Sequence, residues 1–459
     1  MPPVLPPKPE ARPDKVSLWR YLKLFRQDIL SAQPARLYRA WMAEFKTPFF
    51  RSYMVNDPKL IDLVLKKRPD DFPKSDRIGA GLRPLLGNSV FLTNGAVWKK
   101  QRRIIDPAFE GGRLRDTFPA MWAAGEACAD RLDALATGEP VEIEAETSHA
   151  AADVIFRTLF SIPIENDIAA QVFEEFKAHQ RTQPILNLAA FVPGPSWMPK
   201  FFKSETKDTA KVIRDLITRL VDDRAAEIEA GAAPDDLATK IMTKADPETG
   251  ETFAPDEMVD QVAIFFLAGH ETSASALAWT LYLLASNPAW QDKVAAEAME
   301  FTQDFSALST LKSTRDVFRE ALRLYPPVPM MVREVTKPET FRKRALRKGA
   351  QIVLSPWHLH RHERMWDNPD GFDPARWQTE AGKASAREAF MPFSAGPRVC
   401  TGAGFAMAEG VVVLAHLLRR YRFEVVKGQV PVPVAHLTVR SKDGIWLRIR
   451  PRIRPPKEP

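Results

Sequence analysis

Cysteine is nearly missing from this sequence: its 459 residues hold 2, Cys128 and Cys400. Two thiols cannot build a disulfide framework or a four-thiolate metal site, so a reducing, cytoplasmic compartment is expected. Long apolar runs are also absent. The longest, Val262 to Ala268, falls far short of the roughly 20 residues that cross a bilayer, and no membrane anchor is predicted. The N-terminus, Met1-Pro2-Pro3-Val4-Leu5-Pro6-Pro7-Lys8-Pro9-Glu10, has neither the apolar stretch of a signal peptide nor the Arg/Ser pattern of a transit peptide. It reads as a stiff, extended Pro-rich arm over residues 1–20. Neither charge dominates, with Lys+Arg 65 against Asp+Glu 58, so nothing argues for nucleic acid. No repeat or Gly/Ser linker divides the rest, and residues 21–459 are expected to form one domain.

What is present is mostly helical patterning. A strand-like segment, Phe49 to Val55, precedes a helix after Asp57-Pro58 carrying Leu60, Ile61, Val64 and Leu65 at helical spacing. From Trp98 onward helices dominate. One, from about Thr209 to Ala230, shows an apolar stripe of Val212, Ile213, Leu216, Ile217, Leu220 and Val221. The segment from Asp256 to Asn287 is apolar all round and should be central rather than peripheral. Strands return at Gln351 to Ser355 and at Leu437 to Val439, the latter joined through Asp443-Gly444 to Ile445-Trp446-Leu447. The expected fold is mainly α with small β-sheets, its β-rich parts near residues 45–75 and 335–360.

Chemistry concentrates around Cys400. The stretch Phe393 to Gly402 places two glycines and a proline about one cysteine and runs into a helix whose inner face carries Phe405, Ala408, Val412 and Ala415. A cysteine at a helix start meets free N–H groups and the positive end of the macrodipole, which favour a thiolate. By residue type alone it could equally be a small apolar core residue. The pattern Phe393-x-x-Gly396-x-Arg398-x-Cys400-x-Gly402 resembles the haem-binding signature of the cytochrome P450 family. That resemblance implies a long central helix over the haem and a cysteine loop on its proximal side. Cys400 would be the axial thiolate of a haem b iron, a ligation that favours O–O cleavage. Arg398 would meet a haem propionate, and Phe393 would lie beside the macrocycle.

Further motifs extend the resemblance. Within the central helix stands Ala268-Gly269-His270-Glu271-Thr272. A mid-helix glycine lets something approach the backbone, and a threonine can divert the carbonyl four residues back. The run is similar to the family's oxygen-activation groove, with Thr272 and Glu271 as the alcohol and acid that deliver protons and His270 in a variable position. Glu320 and Arg323, one helical turn apart, resemble with Arg376 a buried Glu/Arg/Arg network that fixes the cysteine loop. Trp98 and Arg102, together with Arg333, resemble further propionate contacts. Substrate-contacting places of the family correspond to Phe266, Ala268, Val328, Met330, Met331 and Leu437, and to a loop between about Arg77 and Ala96. The run Phe191 to Met198 reads as an access lid or an interhelical linker. His358, His360 and His362 would share a strand face, but hydrogen bonding is the expected role rather than metal binding. Cys128 reads as core.

The activity implied is a haem-thiolate monooxygenase inserting one atom of O2 into a C–H bond of a mostly apolar small molecule. Electrons would come from NAD(P)H through a separate reductase and a ferredoxin or flavodoxin, docking on Lys99, Lys100, Arg102 and Arg103. Two alternatives are a haem-thiolate peroxygenase or isomerase and a non-enzymatic haem sensor.

Overall fold

In the computed structural model, residues 5–46, 51–110, 112–182, 204–435 and 437–452 are described; the run Phe191 to Met198 lies outside them. Helices make up most of the chain, and four small sheets sit at its edges. The central helix spans Pro255–Ser286. Its start is set by Pro255, which needs no N–H donor at that position, and by Glu257, whose carboxylate accepts the Ala254 N–H at 3.0 Å. It stops at Asn287, where Pro288 opens the next helix, Pro288–Met299. Buried on nearly every side, it lies across the helix Ile143–Phe160. Gly269 is small for this contact: a Cβ there would stand 2.4 Å from Cδ1 of Ile155. The backbone approach anticipated at Gly269 is thus made by a neighbouring helix.

The largest sheet orders Met42–Lys46, Arg51–Val55, Gln351–Leu354 and Met331–Glu334, the middle pair parallel and the outer pairs antiparallel. The strand expected from residue 49 is described from Arg51. Two expectations fail by register or face. Val439–Ser441 pairs with Pro433–Ala435, whereas Trp446–Pro451 pairs with Pro140–Glu142 and Tyr421–Val425, so no hairpin forms across Asp443-Gly444. In the helix Ser204–Glu229 the stripe from Ile213 to Val221 is buried, but Val212 is exposed. The expected loop near Arg77 is largely helix, Asp76–Leu86.

The Pro-rich arm is laid against the body. Pro7 O accepts the Tyr325 hydroxyl at 2.8 Å, Lys8 pairs with Asp370, and buried Arg12 donates from Nε to Ala32 O at 2.6 Å and from Nη1 to Pro13 O at 2.7 Å. Replacing Arg12 with Ala strips the donor from a buried carbonyl, which costs about 1–3 kcal/mol. A urea midpoint lowered accordingly, with an unchanged slope, is the expected result; an unmoved midpoint would show that the docking contributes nothing to stability.

Candidate active site

The cysteine loop is shaped by its own backbone. Gly396 takes φ +70° and crosses so close to the segment Leu63–Lys67 that a Cβ would lie 2.0 Å from Leu65 O, a position open only to glycine. Cys400 N–H donates to Phe393 O at 2.9 Å, Val399 N–H to Gly396 O at 3.0 Å, and Ala403 N–H to Cys400 O at 3.3 Å. Gly402 then caps the helix Ala403–Arg420, so the cysteine stands just ahead of the helix start, as its sequence context predicts.

The helix Gly95–Phe109 grips this loop from outside. Arg102 pairs with Asp106 at 2.7 Å and donates to Val399 O at 2.8 Å, while Thr401 Oγ1 donates to Asp106 Oδ1 at 3.1 Å. Arg102 thus directs these donors at the loop and Asp106. Trp98 is buried, with the Arg398 guanidinium 4.1 Å from its ring centroid.

Arg398 and two cations near it, Arg333 and Lys74, have no ion-pair partner among the described residues. Arg398 donates to Asn94 Oδ1 at 3.0 Å and Thr93 O at 3.4 Å; Arg333 donates to Val332 O at 3.1 Å; Lys74 Nζ donates to Val90 O at 2.8 Å. Burial lowers Arg333 and Arg398 to about 10 each. Burial also holds Lys74 well below its ordinary value, helped by repulsion from Arg398, Arg333 and Arg102. Such a set, met only by carbonyl and amide oxygens, suits a ligand that brings its own carboxylates. Sequence reasoning missed Lys74. Its position opposite Arg333 in an isolated bridge is tertiary information.

On the other side of the loop lies one face of the central helix. Phe109 links the two, its ring 5.9 Å from Phe265 of the central helix and 6.5 Å from Phe405 of the helix after the cysteine. Ala268 is accessible although most of its helix is buried, and Phe265, Gly269 and Thr272 are half-buried. Cys400 also has accessible surface, yet burial is the leading influence raising its thiol, opposed by the Gly402 N–H and by Arg102. Both hold if the sulfur faces an interior cleft rather than bulk water. Thr272 Oγ1 donates to Ala268 O at 2.5 Å, the diversion its spacing predicts.

Glu271 is buried. Its Oε2 accepts from Thr438 Oγ1 at 3.3 Å, and burial raises its carboxyl. His270 instead bonds Ser148 Oγ at 2.6 Å, and burial lowers it to about 3.

Among the expected substrate contacts, Val328, Met330, Met331 and Leu437 are half-buried. Phe266 is a correction. It packs tilted against Phe156 and stacked on Phe176, centroids 4.3 and 5.9 Å away, on the helix face opposite Ala268. Half-buried Phe265, three residues before Ala268, lies on the same helix face as Ala268.

Glu320 and Arg323 are fully buried on the helix Lys312–Leu324. Arg323 meets Glu320 through two bonds of 2.8 and 2.9 Å, and Arg376 Nε adds a third at 3.0 Å. The network reaches the cysteine loop through His360, whose Nε2 accepts the Met391 N–H at 2.9 Å and whose Nδ1 lies 3.2 Å from Arg323 O. With Nε2 accepting, the ring proton belongs on Nδ1. Residues 356–359 are a short helix, so the three histidines do not share a strand face. His358 bonds Ser355 at 2.8 Å, and His362 stacks on Trp41. No candidate metal-holding group of His, Cys, Asp and Glu occurs among the described residues. Cys128 is buried, its thiol pushed up to about 12.

The basic residues expected to receive an electron carrier carry partners of their own. Lys99 pairs with Asp70 at 3.1 Å, Lys100 with Glu251 at 2.9 Å, and Arg103 with Asp246 at 2.6 Å and Glu248 at 3.1 Å. The partners come from distant parts of the chain. No described helix is long and apolar enough to cross a membrane.

Comparison with known proteins agrees with this geometry. The family model for cytochrome P450 matches residues 38–448. A cytokinin hydroxylase of Arabidopsis thaliana is 30% identical over 86% of this chain and 78% of its own. A taurochenodeoxycholic 6 alpha-hydroxylase of Sus scrofa is 30% identical over 86% of this chain and 81% of its own. A cyclooctatin synthase of Streptomyces melanosporofaciens is 30% identical over 75% of each chain. With the match running through nearly all of the described fold, the chain belongs to the cytochrome P450 family and is a monooxygenase of that family.

Proposed function

We propose that this monooxygenase binds haem b through Cys400 and inserts one oxygen atom into a C–H bond of a mostly apolar small molecule. Its electrons come from NAD(P)H through a separate ferredoxin or flavodoxin and a reductase. The observation that carries the reading is the pairing of the Cys400 loop with three cations at least half-buried and lacking ion-pair partners among the described residues, Lys74, Arg333 and Arg398. When bound, the haem supplies dioxygen binding and O–O scission. The chain supplies the rest. Arg333, Arg398 and Lys74 hold the carboxylates of the cofactor, Trp98 and Phe393 pack beside it, and Arg102 braces the loop.

Thr272 carries a hydroxyl on the accessible helix face, and Glu271 is the acid one residue away. Together they hold and pass protons there. Ala268, Phe265, Val328, Met330 and Leu437 make the wall apolar and limit water. The Thr272 and Glu271 pair favours the monooxygenase over a peroxygenase, isomerase or sensor, which have no need of timed protons. With Lys99 and Lys100 neutralised by Asp70 and Glu251, the electron carrier meets a face centred on exposed Pro397 and Val399, with paired charges around it. Both cysteines are free, which supports a cytoplasmic setting.

Thr272→Ala is the direct test. The variant is expected to retain haem and substrate-linked NAD(P)H oxidation while most reducing equivalents leave as hydrogen peroxide. Product formation that stays tightly coupled to NAD(P)H would remove Thr272 from proton delivery.

A further inference from the structure

Glu271 does not end in a closed apolar pocket. Its Oε1 lies 3.9 Å from Nη2 of Arg440, on the strand Val439–Ser441, and that side chain is 39% exposed. The same Nη2 donates to Gln180 Oε1 at 3.0 Å, from the helix Asp167–Thr182. Gln180 Nε2 is buried and stands beside the Glu271 carboxylate, where its amide favours the charged form. Two elements thus converge on the acid, and the Arg440 side chain on one of them is partly exposed.

We propose that Arg440, held by Gln180, is the positioning residue for Glu271: it keeps the buried acid able to lose and regain its proton and marks the route by which solvent recharges it. This rests on the proton-supply role given to Glu271 above. Each turnover takes two electrons and two protons with one O2, giving the oxygenated product and one water. Glu271 gives up a proton toward the Thr272 side, becomes a carboxylate, and recovers a proton from water entering along Arg440.

Burial raises the Glu271 carboxyl and so disfavours the carboxylate it must pass through in each cycle. A guanidinium 3.9 Å away is too distant for a hydrogen bond yet near enough to stabilise the carboxylate. The other titratable groups around the site are few. Glu144, raised by burial to about 7, accepts the Ser441 N–H at 3.0 Å, and Glu142 adds negative charge beside it. His270 stays neutral above about 3, and Lys177 contributes a cation from the Gln180 helix. No second cation forms an ion pair with Glu271 among the described residues, so its charge state should follow residue 440.

The test reads Glu271 itself. Infrared difference spectra of the resting holoenzyme, wild type minus Glu271→Gln, isolate the carboxylic acid band of this side chain, and its pH midpoint is then followed in variants. Removing a nearby cation raises a carboxyl's proton affinity, so in Arg440→Gln the band should persist to a pH higher by about one unit. Arg440→Lys, which keeps the charge, should lie close to wild type, and Gln180→Leu between the two. The Arg440→Gln protein should also release severalfold more hydrogen peroxide per NAD(P)H, its reduced CO spectrum unchanged. A midpoint unmoved in Arg440→Gln overturns the proposal; so does a moved midpoint with an unaltered peroxide yield. Because the band is read before turnover, the midpoint result does not depend on how Thr272→Ala behaves.

Discussion

Cys400→Ser is expected to eliminate the red-shifted carbonyl band of the reduced CO complex and to bring product formation below detection. The exchange replaces one sulfur by one oxygen and touches little else. The loop is held by backbone bonds, Cys400 N–H to Phe393 O and Ala403 N–H to Cys400 O, and by Gly396 lodged against Leu65. Arg102 and Asp106 reach the loop at Val399 O and the Thr401 hydroxyl. None of these contacts uses the sulfur, so the variant should fold and Lys74, Arg333 and Arg398 should still attract a porphyrin. What it loses is a soft anionic ligand that donates electron density strongly; a serine hydroxyl stays protonated and binds iron weakly. Burial raises the Cys400 thiol, so in the wild type the metal's charge must favour the thiolate over the protonated form. A Cys400→Ser protein whose CO spectrum matches wild type would rule the residue out as ligand, and the function proposed here would fail with it.

Features carried by contiguous residues were legible in the sequence. The cysteine loop, the Ala268 to Thr272 groove and the Glu320, Arg323 pair each lie within one segment, and each forms the local structure its spacing implies. Thr272 bonds Ala268 O because four residues make one helical turn. The features that escaped depend on distant segments meeting. Lys99 and Lys100 looked like free cations because Asp70 and Glu251 lie far away in sequence. Lys74 gave no signal, since its meaning comes from Arg333 and Arg398 arriving beside it. The separate faces of Phe265 and Phe266 escaped for a different reason. Two adjacent aromatics on an apolar helix cannot be told apart by composition, but their angle from Ala268 separates them. The missing hairpin at Asp443-Gly444 shows that a favourable turn dipeptide does not fix strand pairing when neighbouring strands offer longer partners. Trp446–Pro451 pairs along its length with Tyr421–Val425 and leaves Val439–Ser441 to another sheet.

Glu320→Gln should destabilise the protein by about 3–5 kcal/mol, because it leaves two buried guanidiniums facing a neutral amide. Against a typical total of about 5–15 kcal/mol, that is enough to prevent haem uptake during expression. Buried ion networks can sometimes be exchanged for apolar side chains without loss, but here the geometry argues otherwise. Arg323 donates to the carbonyls of His360, Pro369 and Gly371, and Arg376 to those of Asp367 and Asn368. The pair therefore serves as the hydrogen-bond donor for the segment between 360 and 371, whose His360 ring then holds Met391, two residues before Phe393. Replacing Glu320, Arg323 and Arg376 together with Leu, Met and Met removes the buried charge but strands those carbonyls, so it should recover little of the loss. Urea unfolding and the haem-to-protein absorbance ratio measure both effects. If the triple variant proved as stable as wild type and held a full complement of haem, the network would be dispensable, and another contact would have to hold the cysteine loop.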